Sequence, residues 1–159
     1  VLEVDNTFIG PAALANASRF VYDPRDDKTS ERLNYLNDES GGIWDCTRCM
    51  QCVEVCPKGV SPMDRIMDLR ESAIEFGAKK THGYHHTNSF EKSVTANGRL
   101  DESRLALESA GIFNIFRLLD LVPVGLRALI RGKLPPLFPH KAKDNKKIKE
   151  LAKAIKEKE

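Results

Sequence analysis

Residues 44–59 read WDCTRCMQCVEVCPKG and hold all four cysteines of the chain. The spacing is C-x2-C-x2-C-x3-C, followed at once by Pro57. This run constrains the fold more than any other feature, because thiolates spaced in this way commit the backbone to wrapping a metal group. Cysteines at i, i+3 and i+6 reach different irons on one face of a cubane. In two-cluster ferredoxins the fourth cysteine of such a run, the one before proline, ligates the other cluster. The spacing therefore predicts Cys46, Cys49 and Cys52 on one [4Fe–4S] cluster and Cys56 on a second iron–sulfur cluster. The competing reading is a zinc site made by all four thiolates, stapling an interaction domain. Zinc sites more often use two separated CxxC pairs, and the Cys-Pro ending favours iron.

By this geometry the first cluster lacks one thiolate and the second lacks three. None stands in residues 1–45 or 57–159. Both clusters are thus expected to be completed by residues outside this chain. The opening VLEVDNTFIG has no initiator Met and reads as the continuation of something longer. With neither a basic n-region nor an apolar h-region, it is not expected to be a signal peptide.

At 159 residues, 41% hydrophobic and 30% charged, the chain suits a soluble domain with an extension. No stretch of eighteen apolar residues lacks a charge, so no membrane-spanning helix is expected. Charge is uneven. Residues 1–45 carry four Lys/Arg against nine Asp/Glu, whereas residues 112–159 carry twelve against five. An acidic head and a basic tail point to different partners at the two ends.

The pattern predicts an all-α chain: an α-helical ferredoxin domain over 1–80, the second half of a two-cluster domain, then a helical extension over 81–159 ending in a basic tail. Pro11 opens a helix that Asp23-Pro24 ends, and Thr29 or Ser30 is placed to cap the next. Gly41-Gly42 breaks the chain before the cysteines. In SPMDRIMDLRESAIEFG, Ser61 is the expected N-cap, Pro62 and Asp64 suit the first turn, and Gly77 marks the stop. Ile66, Leu69, Ala73 and Phe76 share its apolar face. AKKTHGYHHTNS reads as a solvated loop, so His82, His85 and His86 are not expected to bind metal. Short helices are expected near Phe90–Asn97 and Asp101–Ala110. In residues 112–131 Pro123 should kink or split any helix, and GKLPPLFPH should be an extended connector.

Trp44 and Ile43 read as core. Met50, Val53 and Val55 are expected to keep water from the clusters, and Lys58 either offsets cluster charge or lies on the surface. Residues 112–131 have two readings: packing on this domain or a partner, which Pro123 favours, or peripheral contact with a membrane surface. The tail carries a narrow apolar stripe of Ile148, Leu151, Ala152 and Ile155 but no interleaved aromatics, so no nucleic acid is expected.

DNTFIGPAALANASRFVYDPRDDKTSERLNYLNDESGGIWDC resembles the region between the two cysteine motifs of succinate dehydrogenase and fumarate reductase iron–sulfur subunits, and CTRCMQCVEVCPKGVSP resembles their second motif. The likeness covers roughly residues 5–77. Many family members lack a cysteine where Cys49 stands and hold a three-iron cluster, so Cys49 implies [4Fe–4S] here. Cys49, LRESAIEFG and the back half, with NGRL and LVPVGLRALIRGKLPP, are also similar to the C subunit of heterodisulfide reductase. The resemblance implies an upstream [2Fe–2S] domain with a first cysteine motif, a flavoprotein subunit that handles succinate and fumarate, and a membrane-anchor or heterodisulfide-reductase-like subunit. It implies single-electron relay to a quinone or other acceptor and no substrate chemistry on this chain. It places the chain at the cytoplasmic face of the inner membrane, held there by partner subunits. The residue after the first cysteine, which in the family lines the quinone site and is often His, is Thr47; quinone contact is not assigned.

Overall fold

A computed structural model describes residues 3–37, 40–111, 114–134 and 141–157. Among the described residues the structure is all-α: eight helices and one 3₁₀ turn, with no strand. They form two compact units that divide between Tyr84 and His85.

The first unit holds α1 (Pro11–Val21), α2 (Thr29–Leu36), the 3₁₀ turn Ile43–Asp45, α3 (Gln51–Glu54) and α4 (Pro62–Glu75). Pro11 sits at the first position of α1, where its missing N–H costs nothing. Leu14, Ser18 and Val21 recur at helical spacing and turn one face of α1 inward. That face packs on Ile66, Leu69 and Ala73 of α4, all fully buried, while Leu33 and Leu36 of α2 close the side. Phe8 and Ile43 complete the core. Gly41 has φ +85 and lies against the carbonyl oxygen of Thr7, where a Cβ has no room. Its carbonyl accepts the Ile9 N–H at 3.1 Å and its N–H donates to the Asp45 carboxylate at 2.6 Å, so the chain ahead of α1 is tied to the approach of the cysteine run.

The caps differ from the sequence pattern. Lys28, not Thr29 or Ser30, is the N-cap of α2, and the Thr29 hydroxyl instead donates to the Val21 carbonyl at 3.4 Å. Ser61 is the N-cap of α4 but is left-handed (φ 51), and its hydroxyl donates to the Asp64 carboxylate instead of taking a backbone N–H. Phe76 is the C-cap of α4 and points outward, because the helix ends one residue before it would turn onto the apolar face. Gly77, at φ 93, supplies the expected stop.

The second unit holds most of α5 (His82–Asn97), then α6 (Glu102–Ala110), α7 (Ile115–Ile130) and α8 (Asn145–Lys156). Of the stretch expected to be a loop, residues 78–81 are non-helical, but from His82 on it forms the first part of α5, where His86 Nδ1 and the Ser109 hydroxyl share a 3.0 Å hydrogen bond. Asp101 caps α6 by accepting the Arg104 N–H, and Asn114 caps α7 by accepting that of Arg117. Helix α7 runs unbroken across Pro123 and buries no residue. The expected connector lies largely at residues 135–140, outside the described residues. The apolar stripe of the tail lies on α8, which docks on the end of α5: Ala142 N–H donates to the Asn97 carbonyl at 2.8 Å and Asn145 Nδ2 to that of Ala96 at 3.1 Å. No helix among the described residues is long and apolar enough to cross a membrane.

The packing of α4 sets a contrast along one helix. Leu69→Ala should lower unfolding free energy by about 2–5 kcal/mol, since it opens a cavity under α1. Phe76→Ala, on the exposed end of the same helix, should change it by no more than about 0.5 kcal/mol. Urea unfolding followed by circular dichroism reads both.

Candidate iron–sulfur site

The four cysteines lie on the loop between the 3₁₀ turn and α4. Cys46 ends the 3₁₀ turn in extended conformation (φ −68, ψ 117). Beyond it Arg48 (φ 56) and Met50 (φ 63) are both left-handed, an unusual state for non-glycine residues that costs about 1–2 kcal/mol each. These two reversals curl the backbone around Cys49 and start α3 at Met50, with Cys52 in its first turn. Cys46 and Cys49 come close enough for their negative charges to bear on Cys52. Burial first, then the charge of Cys46, pushes the Cys52 thiol above the ordinary range.

Cys56 follows the end of α3 and has its own surroundings. The backbone N–H groups of the turn that follows, those of Val60 and Lys58 foremost, favour the thiolate and hold the thiol below the ordinary range. Pro57 and the left-handed Gly59 and Ser61 turn the chain sharply here, and the Gly59 N–H closes the turn on the Cys56 carbonyl at 3.3 Å. A thiolate bonded to backbone N–H groups is the form that ligates iron. Cys46, Cys49 and Cys52 thus precede or begin α3, and Cys56 stands beyond its end in a turn of its own. Among the described residues no three His, Cys, Asp or Glu side chains are gathered closely enough to hold a single metal ion.

The loop is anchored by a residue that the sequence reading did not single out. Arg70 of α4 is 6% exposed, and its guanidinium reaches back to the start of the cysteine run. Its Nε donates to the Ile43 carbonyl at 2.9 Å, and one terminal nitrogen donates to the carbonyls of Ile43 at 2.7 Å, Trp44 at 3.2 Å and Cys46 at 2.8 Å. The guanidinium carbon also lies 5.2 Å from the centre of the Trp44 ring, whose Nε1 donates to Asn37 Oδ1 at 2.6 Å. Trp44 and Ile43 therefore belong to the core packing. Burial, with Arg48 nearby, lowers the Arg70 pKa to about 10, so the side chain stays charged at neutral pH. One signal was available: Arg70 falls on the apolar face of Ile66, Leu69 and Ala73, where an unpartnered charge has no place.

Other expectations fare differently. Met50 is 40% and Val55 65% exposed, so within this chain they do not keep water from the thiols. The reason is the length of α3: its four residues touch α4 but make too short a helix to bury any side chain, and Val53 is half-buried. Cys49 is likewise exposed, while Cys46, Cys52 and Cys56 are half-buried. Lys58 is exposed, and its backbone N–H, not its charge, meets Cys56. His82, His85 and His86 lie on α5.

Residues 11–60 match the 4Fe-4S dicluster domain family, and all four cysteines stand within them in cluster-binding spacing. The chain is similar to the C-terminal part of succinate dehydrogenase and fumarate reductase iron–sulfur subunits. It is 32% identical over 99 residues to the 8-methylmenaquinol:fumarate reductase iron–sulfur subunit of Wolinella succinogenes, covering 62% of this chain and 30% of that protein. It is 38% identical over 68 residues to the succinate dehydrogenase [ubiquinone] iron–sulfur subunit 1 (mitochondrial) of Oryza sativa subsp. japonica, covering 43% and 24%. With the fumarate reductase iron–sulfur subunit of Escherichia coli O157:H7 the identity is 44% over 70 residues, covering 43% and 28%. The chain thus spans less than a third of the length of these relatives. No solved structure matches it.

Arg70 should behave as the anchor of the loop. Arg70→Met leaves the carbonyls of Ile43, Trp44 and Cys46 short of a charged donor and should cost about 2–3 kcal/mol. Arg70→Lys, a point charge without the planar fork, should recover part of that loss. Equal urea midpoints for wild type and Arg70→Met would show that the guanidinium anchors nothing.

Proposed function

We propose that this chain is the C-terminal electron-transfer part of a succinate dehydrogenase/fumarate reductase-type iron–sulfur subunit. Cys46, Cys49 and Cys52 hold one [4Fe–4S] cluster, and Cys56 joins a second whose remaining ligands, like the fourth ligand of the first, come from outside this chain. When bound, such clusters supply one-electron transfer, with potentials spanning roughly −700 to +450 mV across the class. The observation that carries this reading is the C-x2-C-x2-C-x3-C-P spacing inside a segment that matches the 4Fe-4S dicluster domain.

The chain's own residues have positioning tasks. Arg48 and Met50, through their left-handed turns, set the spacing of the first three sulfurs. Arg70 fixes the carbonyl of Cys46 and thereby the entry to the curl. The amides after Cys56 stabilise its thiolate and leave it ready to bind iron. Electrons would pass between a flavoprotein subunit, where succinate and fumarate interconvert, and a quinone or other acceptor at a membrane-anchor subunit. On this reading the chain touches neither succinate nor fumarate, and partner subunits place it at the cytoplasmic face of the inner membrane.

Electron paramagnetic resonance of the intact assembly tests the ligand set. Cys49→Ser should weaken the four-iron signal of the first cluster or convert it to a three-iron signal. A four-iron signal unchanged in amplitude and shape would remove Cys49 from the ligands.

A further inference from the structure

We infer that α7 is a surface-lying helix that seats this chain directly on an anionic lipid surface. The inference rests on α7 and the basic residues that follow it and is independent of the cluster assignment. On a helical projection Ile115, Phe116, Leu119, Val122, Leu126 and Ile130 fall within one arc of α7. All six face solvent, from 57% exposed at Leu126 to 82% at Phe116. Pro123 lies within the same arc, so its ring adds to the apolar surface. Arg127 and Arg131, one turn apart, run along one edge of the arc with Asp120 between them. Long arginine side chains in that position lay their stems on the apolar boundary and carry their charges outward.

The geometry excludes a spanning role and fits an interfacial one. Sixteen residues of helix extend roughly 24 Å, less than the roughly 30 Å of a hydrocarbon core. Arg117, Asp120 and Arg127 also stand within those sixteen residues. An apolar arc with long arginine side chains at its margin is the form that lies in the headgroup plane. Charge complementarity selects the occupant. Residues 112–159 carry twelve Lys/Arg against five Asp/Glu, and Lys133, Lys141 and Lys143 follow α7 closely in the chain. Juxtaposed apolar and polybasic segments are drawn to anionic leaflets.

Co-sedimentation of the intact chain with large unilamellar vesicles tests this. Vesicles of phosphatidylcholine containing phosphatidylglycerol should bind at least about tenfold more tightly than phosphatidylcholine alone, and added salt should weaken the binding. Arg127→Glu with Arg131→Glu should lower partition by about tenfold or more, and Leu119→Asp with Leu126→Asp should abolish it. None of these side chains is in the core, so helicity and unfolding should stay at wild-type values. Phe116→Trp gives a second readout that does not depend on the charged variants folding. Its emission should shift to the blue on adding anionic vesicles, beyond any change in wild type, whose single tryptophan is Trp44. No binding to anionic vesicles, or equal binding to neutral ones, overturns the proposal. So does a wild-type chain that dimerises without lipid and becomes monomeric in the Leu119→Asp, Leu126→Asp variant, because a second copy would then cover the face.

Discussion

The charge of Arg70, buried between helix and loop, joins the part of the chain that folds to the part that ligates. The guanidinium is rooted in α4, the helix with the most completely buried face, and its nitrogens end on the carbonyls of Ile43, Trp44 and Cys46. A buried cation with carbonyl partners on several sides is oriented by all of them, and any one left unmet would be costly. The first cysteine is therefore placed by the core and not by the loop's own preferences. The two left-handed residues beyond it depend on that placement, since such backbone states persist only where their surroundings over-determine them.

Beyond Cys46 the loop does two different jobs within a few residues. The curl brings Cys46, Cys49 and Cys52 within electrostatic reach of one another, which disfavours several thiolates together unless a cation group is present. The turn after Cys56 does the opposite: its amides favour that thiol's anion. The exposure of Cys49, Met50 and Val55 belongs to the same account: this half of the site presents its apolar and sulfur-bearing side outward.

Much of this was legible from residue pattern alone, where the cause is local. Pro11, Gly77, Gly98 and Gly111 mark helix ends through backbone chemistry that needs no tertiary context, and the apolar stripe of Ile66, Leu69 and Ala73 follows from helical period. The cysteine spacing carried the metal class by the same kind of local geometry. Three features were hidden because their causes are distant or cumulative. Arg70 acts on backbone 24 to 27 residues away, and no periodicity records a side chain meeting a carbonyl. The start of α5 is polar enough to read as loop, yet Gly83 lies against the Trp44 ring and His86 meets Ser109. Helix α7 survives Pro123 because fifteen other residues, most of them good helix formers, and the Asn114 cap outweigh one lost N–H.

The central claim is that the thiols divide three and one between separate iron centres. Anomalous diffraction at the iron edge, from crystals of the intact assembly, tests it most directly. The account predicts two resolved iron centres, one bonded to the sulfurs of Cys46, Cys49 and Cys52 and the other to that of Cys56. A single centre bonded to all four sulfurs, or a peak at the zinc edge in its place, would contradict it.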